Sequence, residues 1–233
     1  EIYEDPPLAN PEAVLGQAWR AVYTSVSGLD GGMREISGAF FVPRGTPPEN
    51  GWPVISIAHG TVGIGNNCGP SRQPNLQGYG FLIRGLLASN YAVALTDYEG
   101  LGETGSHPYL ESRTAAFNTI DAVRAMRNLT PTVSSRWIAV GYSQGGQAAL
   151  FAAERAANYA PELQLKAVGV AAPATDLVAL LKADIGDVSG VTIGAYAFTA
   201  YASVYGPSTP GAELDTILTP AAVEAAPRMN ELC

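Results

Sequence analysis

Short apolar runs and amphipathic stretches alternate along most of the chain. The runs are almost continuously apolar, as is typical of strands that are buried on both faces of a parallel sheet. They lie at residues 53–58, 91–97, 136–140 and 166–172. The stretches between them show apolar residues close to helical spacing, or favour helix by composition, and lie at residues 77–89, 111–128 and 147–159. This alternation predicts an α/β fold with a mostly parallel sheet flanked by helices.

The N-terminal part departs from this alternation. Residues 1–15 are rich in proline, which predicts an extended arm. The β-prone stretches 17–27 and 33–42 are separated by a glycine-rich turn. Two such stretches joined by a turn predict a β-hairpin ahead of the parallel strands.

The pattern changes again after Pro173. Residues 175–204 are rich in Ala, Leu and Tyr without a clear strand, and residues 211–232 favour helix. We therefore expect a core over residues 1–174, which carries the sheet, and a helical cap over residues 175–233.

A serine stands at the junction between a predicted strand and a predicted helix. Gly141-Tyr142-Ser143-Gln144-Gly145 follows the apolar run at 136–140 and precedes an alanine-rich stretch. A serine on such a sharp strand-to-helix turn is the nucleophile elbow of many hydrolases, and glycines flank it because strand and helix approach closely there. Ser143 is therefore predicted to be a nucleophile; the alternative is a glycine-rich turn with an incidental serine.

Other loops are expected beside this elbow. In parallel sheets flanked by helices, sites collect beyond the carboxyl ends of the strands. The loops that the pattern brings to this edge lie at residues 59–68, 97–108, 141–146 and 172–177.

The composition narrows the class of protein. Hydrophobic residues make up 47% of the 233 residues and charged residues 15%, which is typical of a globular domain with a buried core. The net charge of −8 argues against nucleic acid as a partner, because phosphates attract basic surfaces. No run of about 18 apolar residues is present, so we expect no transmembrane segment.

Motifs for metals and cofactors are missing from the sequence. No cluster has metal-ligand spacing, and Gly100-Leu101-Gly102 alone is not a nucleotide-binding fingerprint. We therefore predict no metal and no cofactor.

The two cysteines, Cys68 and Cys233, fit no zinc or redox spacing. They are either two free thiols of a cytosolic protein or one disulfide of a secreted protein. The low lysine content and a start at Glu1 instead of Met favour the second alternative, with a targeting segment removed or the chain trimmed.

Four motifs carry a family resemblance. They are Ile57-Ala58-His59-Gly60-Thr61-Val62-Gly63 with residues 68–71, Asp97-Tyr98-Glu99-Gly100-Leu101-Gly102 with residues 107–110, residues 141–146, and residues 171–177. In this order they resemble the secretory lipase family of α/β-hydrolases, which includes fungal lipase A enzymes and bacterial secreted relatives. The resemblance covers the chain from about Tyr3 to its end. It implies a lipase or carboxylesterase, a helical lid inserted after the strand at 166–172, a Cys68–Cys233 disulfide and export.

The resemblance also implies acyl transfer at Ser143. A histidine would take the hydroxyl proton, the alkoxide would attack the ester carbonyl, and water would cleave the acyl-enzyme. We expect the oxyanion to be held by the backbone N–H groups of Gln144 and Thr61, with Gly60 as the alternative to Thr61. The motifs also make three side chains candidates for substrate binding: His59, Tyr98 and Tyr142.

The general base and its acid are harder to assign. In this fold the triad follows the chain order Ser, Asp or Glu, His, but both histidines precede Ser143. We expect His59 to orient the oxyanion loop and His107 to fix its own loop by a hydrogen bond, with His107 as a weak candidate for the base. Asp176 is a weak candidate for the acid and is better explained as a helix cap.

The chain thus departs from the family pattern, because the part of the fold that carries the acid and the histidine is absent from it. Three explanations are open. The remainder is a second polypeptide after nicking, or it lies outside these 233 residues, or the protein is a degenerate hydrolase without a triad. The first two are favoured, because a sheet that ends at residue 172 would expose an apolar edge strand.

The leading hypothesis is a secreted carboxylic ester hydrolase that acts on lipids or other small apolar esters. One alternative is a serine peptidase of the same fold, for which Glu99 and Glu103 are the weak acidic features. Another is a non-catalytic binding protein on a hydrolase scaffold. Four aromatic residues of the predicted cap suggest an acyl channel, although such a stripe is more often core: Tyr196, Phe198, Tyr201 and Tyr205.

Overall fold

A computed structural model of the protein describes residues 15–233. Within these residues the strands are β1 (Leu15–Val26), β2 (Met33–Pro43), β3 (Trp52–Ala58), β4 (Ala92–Thr96), β5 (Val133–Tyr142) and β6 (Gln164–Ala171). The helices are α1 (Gly80–Ala88), α2 (Ser112–Leu129), α3 (Gln144–Tyr159), α4 (Leu177–Asp184), α5 (Val188–Tyr205), α6 (Leu214–Ile217) and α7 (Pro220–Ala225). Except for Leu15, the arm predicted at residues 1–15 lies outside the described residues.

The strands form one mixed sheet in the order β1-β2-β4-β3-β5-β6. β1 and β2 form the antiparallel hairpin that the sequence predicts, and β2 pairs antiparallel with β4. β4, β3, β5 and β6 run parallel. The predicted α/β fold with a mostly parallel sheet flanked by helices is confirmed. Because these four strands are parallel, the loops that follow them meet at one edge of the sheet.

Each face of the sheet carries its own hydrophobic core. On one face α2 and α3 cover Val54 of β3, and on the other α1 packs Ile83 and Leu87 onto Ile55. Val54 and Ile55 are neighbours in β3 and enter different cores, since successive side chains of a strand point to opposite faces. This double burial explains why the run at residues 53–58 is apolar throughout.

One helix prediction needs correction, and a second, that residues 211–232 are helical, is refined. The helix expected at residues 77–89 begins only at Gly80, because Asn75, Leu76 and Gln77 have φ values of 52°, 56° and 55° in the left-handed region. Residues 211–232 do not form one helix but two short helices, α6 and α7, and a 3₁₀ turn. Proline causes part of this division, since Pro220 starts α7 and has no N–H with which to continue an earlier helix.

The segment after β6 is helical, as the sequence predicts, and packs over the loops at the sheet edge. Tyr196 and Ala200 of α5 form a small core with Ile64 and Tyr109. The division into a core at 1–174 and a cap at 175–233 stays a prediction. Within residues 15–233, no helix has the length and apolar character that a membrane span needs.

A disulfide joins Cys68, in the loop after β3, to Cys233, with the two Cα atoms 5.1 Å apart. The pairing implied by the family resemblance is therefore confirmed. The C-terminal segment runs so close to this loop that a Cβ at Gly65 would overlap the carbonyl oxygen of Asn230. The disulfide thus fixes the end of the helical segment against the loop that contains Thr61.

Candidate active site

Ser143 occupies a strained turn between β5 and α3. Its φ of 54° and ψ of −118° lie in a region that non-glycine residues rarely adopt, at a cost of about 1–3 kcal/mol. The backbone is held in place, because Ser143 N donates to Ala171 O at 3.0 Å and Ala174 N donates to Ser143 O at 3.2 Å. The carboxyl end of β6 thus stabilises the elbow that follows β5.

The glycines around Ser143 are required by close backbone approach. A Cβ at Gly141 would overlap the carbonyl oxygen of Gly145, and a Cβ at Gly145 would overlap that of Ala58. A Cβ at Gly146 would lie 2.9 Å from Pro173. Helix α3 therefore starts directly against the end of β3, which brings its first N–H groups to the loop after β3.

Two backbone N–H groups near the elbow have no hydrogen-bond partner among residues 15–233. Gln144 N is free because it is the first residue of α3, and the first N–H groups of a helix have no partner within it. Thr61 N is also free, whereas the neighbouring Gly60 N donates to the hydroxyl of Tyr79 at 2.9 Å. Of the two alternatives for the second oxyanion donor, the hydrogen bonds favour Thr61 over Gly60.

His59 is fully buried and lies within the loop that contains Thr61. Its Nδ1 is 2.6 Å from Gly60 O and its Nε2 is 3.2 Å from Asp97 O. Burial lowers the pKa of His59, so the ring is neutral and carries one hydrogen, which we assign to Nδ1 because its contact is shorter. His59 therefore fixes the Gly60 carbonyl, and neither of its ring nitrogens contacts Ser143.

His107 also has both ring nitrogens engaged. Its Nδ1 lies 2.7 Å from Glu99 O and its Nε2 lies 3.0 Å from the side-chain amide nitrogen of Gln144. A hydrogen on Nδ1, with Nε2 accepting from the amide, satisfies both contacts. Burial lowers the pKa of His107 to about 4. His107 thus joins the loop after β4 to the start of α3, and it does not contact the Ser143 hydroxyl.

Asp97 anchors these loops from beneath. Its buried carboxylate accepts hydrogen bonds from the hydroxyls of Ser37 and Ser71 and from Ser71 N, the last at 2.7 Å. Burial raises the pKa of Asp97, and the bonds from the two serines oppose that shift. Asp97 therefore connects β2, the disulfide-bearing loop and β4 through three donors.

Three other predicted site residues lie apart from the Ser143 hydroxyl. Tyr98, predicted as a substrate contact, is only 1% exposed and lies behind the loop, where its hydroxyl donates to His59 O at 3.1 Å. Tyr142 is 58% exposed and packs over Gly60. Asp176 is exposed, and its carboxylate accepts from Ala179 N at 2.9 Å as the N-cap of α4.

An apolar cavity of about 260 Å³ opens at Ser143. Its walls come mainly from α4, α5 and the loop before α2, and include Tyr109, Leu110, Leu177, Leu180, Leu181, Ile193, Gly194 and Ala197. Asp184 is the one charged residue in this lining. A cavity with apolar walls and a few polar groups at one end is suited to a small apolar ligand with one polar function.

The four aromatic residues of α5 divide between the cavity and the core. Phe198 and Tyr201 line the cavity. Tyr196 is buried edge-to-face against Tyr109, and Tyr205 is 38% exposed beside Tyr201. The stripe is therefore divided between the lining of the cavity and the packed core.

A second, larger groove of about 670 Å³ lies between β1 and α2. None of the predicted site residues lines it, and Arg124 in its lining bonds Asp121 and Glu162 and stacks over Tyr159. We consider the smaller cavity the better candidate for the functional site, because the strained Ser143 is part of its lining.

No described side chain accepts a hydrogen bond from the Ser143 hydroxyl. Glu99 and Glu103, which favour the peptidase alternative, do not line the cavity, and Glu103 pairs with Arg20 at 2.9 Å. Within residues 15–233 no group of three His, Cys, Asp or Glu side chains is placed to hold a metal. The site therefore combines the strained Ser143 with two unpartnered N–H groups, and neither described histidine contacts the Ser143 hydroxyl.

Sequence reasoning missed two residues of this site. Tyr79 binds Gly60 N, and the hydroxyl of Tyr109 is 2.7 Å from Thr61 Oγ1. Both contacts join residues that are distant in the sequence, so no local spacing reports them. Tyr109 does follow His107-Pro108 in the second family motif, which includes residues 107–110, and this is the one sequence signal that points to it.

A family model described as secretory lipase matches residues 74–207. Among curated proteins, the chain is similar to lipase 7 of Candida albicans, at 30% identity over 118 residues that cover 49% of this chain and 27% of that protein. It is also similar to a probable inactive lipase of Mycobacterium tuberculosis, at 29% identity over 151 residues that cover 58% of this chain and 32% of that protein. The chain thus spans about a third or less of the length of these relatives.

Among solved structures, the chain is similar to the rice cell wall degrading esterase LipA of Xanthomonas oryzae. The TM-score is 0.72 at 25% identity, and the match covers 97% of this chain and 61% of that one. The similarity therefore extends over nearly all of the present chain but leaves more than a third of the solved protein unmatched.

Proposed function

Because this chain belongs to the secretory lipase family, we propose that it is a carboxylic ester hydrolase with Ser143 as nucleophile. Ser143 Oγ attacks the ester carbonyl carbon while its proton passes to a general base. The N–H groups of Gln144 and Thr61 hold the negative charge that develops on the carbonyl oxygen. The alcohol leaves, and water then attacks the acyl-enzyme and releases the acid.

One observation carries this proposal. The strained Ser143 lines an apolar cavity and directly precedes the unpartnered N–H of Gln144, and the N–H of Thr61 in the loop after β3 is also unpartnered. An unpartnered N–H near a buried site is costly unless a ligand or water satisfies it. Two of them beside a serine in an elbow support a site that is complete only when an oxyanion is bound.

The cavity supports an apolar acyl chain as the group that binds beside Ser143. Most of its lining is aliphatic or aromatic, with Leu177, Leu181 and Ile193 among the contributors. A secreted location is part of the proposal. The Cys68–Cys233 disulfide supports it, because disulfides persist in oxidising compartments.

The mechanism requires a base, and the ring nitrogens of both histidines of the chain face groups other than the Ser143 hydroxyl. β6 is the outer strand of the described sheet beside Ser143, and Val170 at its end is 38% exposed. Exposed strand edges are ordinarily covered. We propose that further polypeptide pairs with β6 and brings the histidine and its acid to Ser143, either in continuity with this chain or as a second polypeptide.

A non-catalytic role is the alternative that a specific observation favours. One relative is described as an inactive lipase, and Ser143 has no base among residues 15–233. On this alternative the cavity binds an apolar ligand without cleaving it. The serine peptidase alternative gains no support from the lining, which lacks an acidic pair.

The direct test is hydrolysis of p-nitrophenyl butyrate by the wild type and by Ser143→Ala. We expect the substitution to reduce kcat/KM by about 10³-fold or more. Ser203→Ala is the matched control, because Ser203 is exposed on α5 and its hydroxyl bonds only Ala200 O. With the further polypeptide present, equal background rates for the wild type and Ser143→Ala would refute the hydrolase proposal and leave the binding alternative.

The source of the base has its own test. A rate that rises with pH with an apparent pKa of about 6.5 would report a catalytic histidine with an ordinary pKa. Since burial lowers the pKa of both His59 and His107, such a histidine would come from additional polypeptide. If the rate of His107→Gln still rises with pH around 6.5, the proposal is supported. If this pH dependence is lost, the base is His107.

A further inference from the structure

The loop that contains Thr61 is held by tyrosine hydroxyls at three successive residues. Each hydroxyl comes from a different part of the chain: one precedes α1, one follows β4, and one precedes α2. The three contacts are Tyr98 OH to His59 O at 3.1 Å, Gly60 N to Tyr79 OH at 2.9 Å, and Tyr109 OH to Thr61 Oγ1 at 2.7 Å. We call these residues the tyrosine clamp: Tyr79, Tyr98 and Tyr109.

The placement of Tyr79 depends on an unusual backbone. Asn75, Leu76 and Gln77 are three consecutive residues in the left-handed region, which is unfavourable for residues with a Cβ. The fully buried side chain of Leu76 anchors this turn in the core beneath α1. The turn ends at Tyr79, whose hydroxyl reaches Gly60, so a strained segment delivers one contact to the loop.

The other two clamp residues are tied to different neighbours. Tyr98 is buried, has a φ of 68°, and packs its ring 4.4 Å from that of His59. Tyr109 packs edge-to-face against Tyr196 of α5, with the ring centroids 6.2 Å apart. The clamp therefore fixes the loop relative to β4 on one side and to α5 on the other.

The geometry of one peptide group explains what the clamp achieves. The C=O of Gly60 and the N–H of Thr61 belong to the same planar trans peptide and point in opposite directions. Gly60 N and His59 O belong to the preceding peptide and are held by Tyr79 and Tyr98. His59 Nδ1 holds Gly60 O, so the orientation of the Gly60–Thr61 peptide is restrained by contacts on both of these peptide groups. Tyr109 fixes the side chain of Thr61. The Thr61 N–H is thus left free and in a defined direction.

We infer that the hydroxyls of Tyr79, Tyr98 and Tyr109 position the loop at residues 59–61 so that the Thr61 N–H is set for the oxyanion before substrate binds. This inference rests on the proposed function of Ser143. The three tyrosines are positioning residues and act through the loop. A preset donor stabilises the transition state more than one that must reorient during the reaction.

Removal of single hydroxyl groups tests the clamp. Tyr79→Phe leaves Gly60 N without its acceptor and frees the peptide that follows. We expect kcat to fall about tenfold with KM changed less than twofold, because the donor acts mainly in the transition state. Tyr109→Phe should act in the same direction, and the double variant should lose less than the product of the single losses, because the groups hold one loop.

The matched control is Tyr159→Phe. The Tyr159 hydroxyl also donates a hydrogen bond, to Asp121 at 2.6 Å, but Tyr159 lies at the end of α3 beside the larger groove. It should lower thermal stability about as much as Tyr79→Phe and leave kcat unchanged. A wild-type kcat in Tyr79→Phe, or equal losses of kcat in both variants, would overturn the inference.

Amide hydrogen exchange tests the clamp without turnover. The Gly60 amide should be protected in the wild type and should exchange at least tenfold faster in Tyr79→Phe, while the Gly102 amide, bonded to Asn66 O at 2.7 Å, should not change. Unaltered Gly60 exchange would overturn the inference even if esters are hydrolysed. Faster Gly60 exchange in a protein whose wild type and Ser143→Ala rates are equal would support the clamp and refute the proposed function.

Discussion

The two flanks of Ser143 are built differently. On the first flank, which consists of the loops after β3 and β4, His59, Asp97 and Tyr98 are at most 1% exposed and take part in hydrogen bonds. The second flank consists of β6, α4 and α5, whose residues are mostly exposed or half-buried. Val178 and Val188, for example, are 65% and 84% exposed. The first flank supplies Thr61, one of the two proposed oxyanion donors, whereas the second supplies the cavity and is where we propose the base arrives.

The buried surroundings of the first flank can hold backbone strain. Positive φ values at Ser143 and Tyr98 persist because surrounding backbone and hydrogen bonds allow no relaxation. Oxyanion donors benefit from such rigidity, because a preset dipole needs no reorganisation during the reaction. A cavity that admits acyl chains does not need it, and the second flank can adapt to its ligand.

The largest effect on stability and kcat should come from adding a side chain where the start of α3 lies against the end of β3. Gly145→Ala would force a Cβ into the carbonyl oxygen of Ala58, so we expect a loss of about 3 kcal/mol in unfolding free energy and a fall in kcat of about 10²-fold. Gly169→Ala in β6 is the matched control on the second flank, because its Cβ would meet only Val140 at 3.7 Å. Its stability should change by less than about 0.5 kcal/mol in urea unfolding. Equal effects would contradict the contrast between the flanks.

The next largest effect concerns pH and the first flank. The folded pKa of His107 is about 4, below the unfolded value of 6.5, so the unfolded state binds more protons between these values. Stability should therefore fall as pH drops from about 6.5 to 4, by about 3 kcal/mol from this residue. The lowered pKa of His59 acts in the same direction, and the raised pKa of Asp97 acts against it.

His107→Gln is the variant that isolates this contribution. Glutamine can accept from the Gln144 amide and donate to Glu99 O without titrating. Urea unfolding at pH 4.5 and 7 should show a smaller difference in the variant than in the wild type. An unchanged difference would mean that His107 titrates normally in the folded protein.

Much of the first flank could be predicted from the sequence. The apolar run at 53–58, the glycines around Ser143 and the order of the motifs depend on local sterics and on burial, which leave a pattern in the sequence. The left-handed turn at residues 75–77 could not be predicted, because Asn, Leu and Gln there carry no glycine signal. The clamp contacts of Tyr79 and Tyr98 depend on tertiary placement of single hydroxyls, which no spacing encodes.

The second flank left a weaker signal. The sequence gives helical composition after Pro173, but the division of α6 and α7 and the split of the aromatic stripe between cavity and core depend on packing. The Cys68–Cys233 disulfide followed from family resemblance and not from spacing. Exposed elements carry fewer constraints on residue type, so they are harder to predict.

A smaller effect is expected from narrowing the cavity. A Cβ at Gly194 would lie 3.6 Å from Phe198 and 3.7 Å from Leu181, so alanine fits and valine projects into the space for the ligand. We expect Gly194→Val to lower kcat/KM for p-nitrophenyl octanoate about tenfold relative to the acetate, because added methyl groups displace chain carbons. Gly194→Ala is the graded control and should have a lesser effect. Equal losses on both esters would mean that the chain binds elsewhere.

The smallest effect should come from Asp176, on the second flank. Its carboxylate caps α4 by accepting from Ala179 N at 2.9 Å, and the loss of an exposed cap costs about 1 kcal/mol. We therefore expect Asp176→Ala to lower the unfolding free energy by about that amount and to change kcat less than twofold. Asp176→Asn, which keeps a cap oxygen, should restore most of the stability. If Asp176 were instead the acid of the triad, both variants would lose about 10⁴-fold in kcat, since a neutral side chain cannot stabilise the protonated histidine. That outcome would place the acid of the triad on this chain. The second flank would then supply a catalytic carboxylate as well as the cavity.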